Sequence, residues 1–261
     1  MASVINDVVA VFMLKPDDSR LLNQNRTQVW SSRSVLIFLG CVAYLVLVKL
    51  IITFFPAAFR STSQAAVFEW KFLAIWTILG WLGVVLAQKT GFPEPWNGGI
   101  SNIPRVSLPL AIGILLGILA IATDWLTGWT HFVANKMHLK TIHIDFPASL
   151  VIYPGGAIIV NIIYRIFPIP FLLWIISTLL LKKRFQDRVF WILAALLSFI
   201  EPIGDFGLKE LGFGKMSVVF IEDYVLNFSE MWLFRKLGFL APILMRIFFY
   251  LIWHVLWGYA S

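Results

Sequence analysis

Residues 154–165 read Pro-Gly-Gly-Ala-Ile-Ile-Val-Asn-Ile-Ile-Tyr-Arg, an apolar run that nevertheless carries an amide and a guanidinium. On a helix, Asn161 and Arg165 stand four residues and about 40° apart, so they project from one face. An arginine inside a membrane span costs on the order of 3 kcal/mol on insertion scales, and more by other estimates. Such a residue is expected to face the protein interior and to have an acidic partner. The available acids lie farther along the chain: Glu201, Asp205, Glu222, Asp223 and Glu230. The second half of the chain therefore reads as helices arranged around a polar centre.

The composition supports a membrane setting for that centre. Hydrophobic residues make up 59% of the chain, only 13% are charged, and the mean hydropathy is +0.83. That charged fraction is about half of what soluble domains carry. Several of the twelve tryptophans (Trp30, Trp70, Trp96, Trp125, Trp129 and Trp257) fall near the ends of apolar runs, as an interfacial belt does. The net charge of +7 comes from basic residues flanking those runs. Lipid headgroups are thus the expected counterpart, and nucleic acid is not. Cys41, the single cysteine, permits no intrachain disulfide.

Working outward from 154–165, the apolar character runs almost unbroken from Phe146 to Leu181. As one helix that run would be about 54 Å long. Phe167-Pro168-Ile169-Pro170 offers a break, because proline cannot continue the hydrogen-bond ladder. The reading is then a fourth span over 147–166 and a short fifth over 169–182, or one bent element. Three spans precede them, at 35–55, 67–88 and 106–125, with a Gly/Pro/Asn loop at 91–102. Three follow, at 189–206, 216–232 and 240–257. The expected fold is all-α, a polytopic membrane bundle of about eight spans. Residues 1–34 form a polar or amphipathic lead-in, and 35–261 form the transmembrane domain. No cleavable leader is expected, and the first span is expected to direct insertion into the cell membrane. The four basic residues before it favour a cytoplasmic N-terminus. His131, His138 and His143 lie in a polar segment, 130–145, whose spacing fits no metal motif; it reads as a solvated loop or interfacial helix.

Ionisable residues within the later spans fall at helical spacing. Asp223, Asn227 and Glu230 make one stripe, and Arg246, Tyr250 and His254 make another. Polar stripes on successive spans converge when the spans pack, because facing lipid carries a heavy penalty.

This order of elements resembles the CPBP/CAAX-protease-like (Abi group) intramembrane endopeptidases over residues 146–258. The tail Trp232-Leu233-Phe234-Arg235-Lys236-Leu237-Gly238-Phe239-Leu240-Ala241-Pro242-Ile243-Leu244 looks like that family's segment before its last motif. The family's Glu-Glu-x-x-x-Arg motif falls on Val160, Asn161 and Arg165, so only the arginine is kept. Its next histidine falls near Glu201. Its last histidine falls on or beside Arg246, with Tyr250 in the following place; a shifted register puts His254 in that role.

In the family, a glutamate activates water, while histidines and an asparagine bind metal or stabilise the oxyanion. Asn161 cannot accept a proton as a general base must. The resemblance therefore implies a divergent member without metallopeptidase activity, acting as a membrane binding or assembly subunit. Its partner is expected to be another membrane protein, a prenyl-like lipid or a pigment. No cofactor is named by the sequence, and no metal site is assigned. The alternative is an intramembrane peptidase with a rewired site of Glu201, His254, Arg246, Asn161 and Arg165, in which Glu201 is the base and His254 or Arg246 polarises the carbonyl. A third reading, a proton path through Glu201, Asp205 and Glu222, lacks the paired broken helices of transporter folds.

Overall fold

The computed structural model describes residues 32–59, 63–96, 102–203 and 210–260, which leaves the lead-in before residue 32 and Asp205 outside the described residues. The described residues are all-α. Their helices are α1 (Ser32–Phe54), α2 (Trp70–Lys89), α3 (Asn102–Thr127), α4 (Trp129–Lys136), α5 (Ala148–Leu180), α6 (Gln186–Leu197), α7 (Ile200–Ile203), α8 (Phe213–Leu237) and α9 (Leu240–Ala260). Two 3-10 turns, Pro56–Phe59 and Ser63–Phe68, link α1 to α2.

Five of these helices are long and apolar enough to cross a bilayer: α1, α2, α3, α5 and α9. Their outer faces carry exposed aliphatic side chains, among them Leu36, Leu47, Ile78, Leu115 and Ile118, consistent with multi-pass placement in lipid. The helix α8 has 25 residues but is studded with charge, and α6 and α7 are too short to cross singly.

The expected break at 167–170 is absent, because 148–180 runs on as one 33-residue helical rod. The rod absorbs its prolines by widening into π-helical turns at Ile162–Ile166 and Trp174–Leu180. Pro168 and Pro170 sit at the start of the α-helical piece Pro168–Leu173, where a missing N–H costs least. Pro170 leaves the carbonyl of Ile166 without its usual helical donor. The backbone of α2 comes up against that carbonyl at Gly83, where any Cβ would collide with it. Wide turns of this kind often mark functional positions in helices, and this one carries Arg165.

At the centre, α9 packs on α3, α5 and α8. Gly113 and Gly117 on α3 form a small-residue face; a Cβ on Gly113 would strike the backbone of Met245, and one on Gly117 would strike Ile252. Close helix approach through small residues is how membrane helices gain packing without a hydrophobic driving force between them. The turn from α8 into α9 is made at Gly238, whose φ of 84° suits glycine and whose Cα lies against Pro93. Arg235 pins the same end by donating to the Gly91 carbonyl and pairing with Asp187, while its guanidinium lies over Phe92 and Phe190. Elsewhere, Lys49 of α1 pairs with Glu69 at 2.9 Å and is almost fully buried there.

The glycine contacts separate two effects of adding a methyl group. Gly83→Ala should lower the melting temperature in detergent, because the new Cβ meets main chain that cannot move aside. Gly40→Ala on α1, whose new Cβ meets nothing within 4 Å among the described residues, should hold or raise it, since alanine favours the helix by about 0.5–1 kcal/mol. Thermal unfolding of the two variants followed by tryptophan fluorescence checks the contrast.

Candidate functional site: a buried arginine–glutamate quartet

The residues singled out around Arg165 meet in the interior. Arg165 comes from the π-helical turn of α5, Glu201 from α7, Asn227 and Glu230 from α8, and Arg246 from α9. Asn161, one turn before Arg165, completes the group. Each of these side chains is buried except Glu201, which keeps 22% of its side-chain surface.

Arg246 uses its whole donor fork. Its Nε and Nη2 donate to the two oxygens of Glu230, both at 2.8 Å. Its Nη1 and Nη2 donate to the two oxygens of Glu201 at 2.8 and 3.0 Å. The remaining Nη1 hydrogen points to the Tyr250 hydroxyl at 3.5 Å. Two bidentate carboxylates on one guanidinium is the strongest arrangement that planar fork allows.

Arg165 concentrates its contacts on one nitrogen. Its Nη2 meets Glu230 Oε2 at 2.5 Å, Glu201 Oε2 at 3.2 Å and the Asn227 amide oxygen. Its Nε and Nη1, and Asn161 Oδ1, have no protein partner among the described residues. The Asn161 amide nitrogen donates to the Ala157 carbonyl at 3.0 Å and approaches Glu230 at 3.5 Å. Asn227 is held in turn by donating to the Asp223 carbonyl, while Asp223 itself is only half-buried. Two guanidiniums and two carboxylates cancel, so the centre is polar without net charge.

His254 lies elsewhere. It is two turns beyond Arg246, in the π-helical turn Leu251–Trp257. Its polar contact is His143, with the two Nδ1 atoms 3.0 Å apart, and its ring stacks on Tyr153 at 4.3 Å. Tyr153 OH accepts from the backbone N–H of Ile144. His143 is therefore no solvated loop residue. It is buried, and with Tyr153 and His254 it ties the segment after α4 to the ends of α5 and α9. Nothing in the sequence spacing signals this pair, because 111 residues separate its members.

The zinc that the family resemblance brings in would need about three His, Asp, Glu or Cys ligands and an open position. The donor set here does not fit one. Glu201 and Glu230 each face two guanidiniums, and His254 faces His143. Among the described residues no three such ligands converge. Both oxygens of Glu201 already accept from guanidiniums, which places it poorly to act as a base. No family model matches the chain, and no curated protein or solved structure matches it significantly.

Two outcomes follow from this geometry. Arg246→Gln should destabilise the protein by about 3–5 kcal/mol, since it leaves Glu201 and Glu230 to share the single guanidinium of Arg165. Arg184→Ala, on an exposed turn, should leave thermal unfolding unchanged. The second concerns His143, whose pKa is pushed below the ordinary 6.5 by burial, with Asp124 partly offsetting the effect. The unfolded chain then takes up the proton first, so stability should fall as pH drops below 6.5 towards the folded value. Melting curves between neutral and mildly acidic pH should be flatter for His143→Gln than for the wild type.

Proposed function

We propose that this chain is a divergent CPBP-like membrane protein that works as a binding or assembly subunit rather than as a metallopeptidase. The carrying observation is the engagement of both site carboxylates. Glu201 and Glu230 each bind two arginines, and the position where the family has its second glutamate is Asn161. A carboxylate whose two oxygens already accept from guanidiniums is poorly placed to take a proton from water or substrate. The same contacts suit a structural centre that fixes the relative positions of α5, α7, α8 and α9. Such a centre presents a defined outer surface to another membrane protein, a prenyl-like lipid or a pigment.

In this reading α8 and the α6–α7 pair also enter the bilayer, giving seven crossings with α5 counted once. The charges of α8 support that placement, because Asn227 and Glu230 turn inward and α9 covers them. The residual exposure of Glu201 favours one competing reading, a rewired peptidase that admits a peptide at that carboxylate.

The test is cleavage of a panel of transmembrane and prenylated peptides by purified protein in lipid, read by mass spectrometry. No chelator-sensitive cleavage is expected from the wild type or from Asn161→Glu. Cleavage by the wild type that is lost in Glu201→Gln would overturn the subunit reading and make the chain a peptidase.

A further inference from the structure

A cavity of about 820 Å³ opens at one end of the bundle, where α3 and α9 end and α5 begins. It thus lies at a boundary of the membrane-crossing region, away from the arginine–glutamate quartet. Aromatic side chains line its mouth. Trp125 and Tyr259 are each 79% exposed and Phe146 is 57% exposed, at the level where amphipathic rings meet headgroups.

Inside the cavity is Asp124, only 7% exposed. Its Oδ1 accepts from the Thr130 hydroxyl at 2.6 Å and the Thr130 N–H at 3.1 Å. Its Oδ2 accepts from the Trp257 indole N–H at 3.1 Å. All three donors are neutral, and among the described residues no lysine or arginine pairs with this carboxylate. A buried anion satisfied by hydrogen bonds alone leaves its charge uncompensated.

The neighbouring His143 does not supply the cation, because burial favours its neutral form. It also lines the cavity, is 8% exposed, and its Nε2 has no partner among the described residues. The exposed Lys140 lines the same cavity and is available to an anionic group on the ligand.

We propose that this cavity binds an ammonium-bearing headgroup, with the cation against Asp124 and the aromatic side chains, and an attached phosphate at Lys140. Rings around a cation are attractive through their quadrupoles, and a carboxylate behind them adds the charge. A glycerol headgroup offers neither contact. The inference rests on the cavity alone and does not depend on the CPBP-like reading. The ammonium can belong to a phosphatidylethanolamine or phosphatidylcholine molecule, or to a free amine such as choline.

The experiment takes delipidated full-length protein and offers it an equal mixture of phosphatidylethanolamine, phosphatidylcholine and phosphatidylglycerol, with retained lipid read by native mass spectrometry. In parallel, melting temperature is followed with free choline or phosphoethanolamine. The wild type should retain the ammonium lipids over phosphatidylglycerol by about five- to tenfold. Stabilisation by lipid but not by free amine assigns the source to the membrane, and stabilisation by the free amine assigns it to solution. Trp125→Ala and Tyr259→Ala, both at exposed positions, should each reduce the preference, and Asp124→Asn should abolish it. Trp70→Ala, an exposed tryptophan on α2, should keep it. Should Asp124→Asn fail to fold, the two rim variants decide. The proposal is overturned if the wild type shows no preference in lipid and no response to free amine, or if the rim variants retain the full preference.

Discussion

Arg246 spends all five of its donor hydrogens on Glu201, Glu230 and Tyr250, and the packing of the second half of the chain depends on that fact. Each carboxylate arrives on a different helix, so one guanidinium fixes three elements at once. Apolar side chains cannot do this in a bilayer, where lipid competes equally for their surfaces. Glycine contacts bring α3 and α9 close, but such contacts tolerate sliding. A bidentate fork does not, since its two bonds specify distance and rotation together. Arg165 adds a second cation to the same acids with a less complete set of partners. Arg246 is accordingly the member that sets the geometry.

A neutral cluster of this kind is a cost avoided as much as a gain. Either arginine alone in the membrane interior is unfavourable by several kcal/mol, and so is either glutamate. Together they satisfy one another while leaving Glu201 partly open. The contacts that hold the helices together thus also occupy both carboxylates of the centre.

The polar stripes were legible in the sequence because membrane burial leaves few places for charge. Asn161 and Arg165 on one face, Asn227 and Glu230 on another and Arg246 on a third converge as helical spacing requires. The pairing of Arg165 with Glu201 follows from the same constraint. Three features escaped. The prolines at 168 and 170 suggested a break, yet the helix runs on through a π-helical turn, and α2 compensates by placing a glycine against the freed Ile166 carbonyl. That compensation lies in another helix and has no local signature. The His143–His254 contact joins residues that are remote in sequence, and its stacking partner Tyr153 looked like one more aromatic in an apolar run. Asp124 stands at the end of an apolar run with no local sign of burial, yet Thr130 and Trp257 hold it inside.

The separation of Arg165 from its acids along the chain has a bearing on how the protein is made. Glu201 follows Arg165 by 36 residues, which takes about 2–7 s at ribosomal rates of 5–20 residues per second. Glu230 and then Arg246 emerge later still. During that interval α5 holds a guanidinium with only Asn161 for company in the membrane, and no single span can neutralise it. The order of synthesis thus makes the last helix the closing piece, since a chain ending before Arg246 has two carboxylates and one guanidinium at this centre.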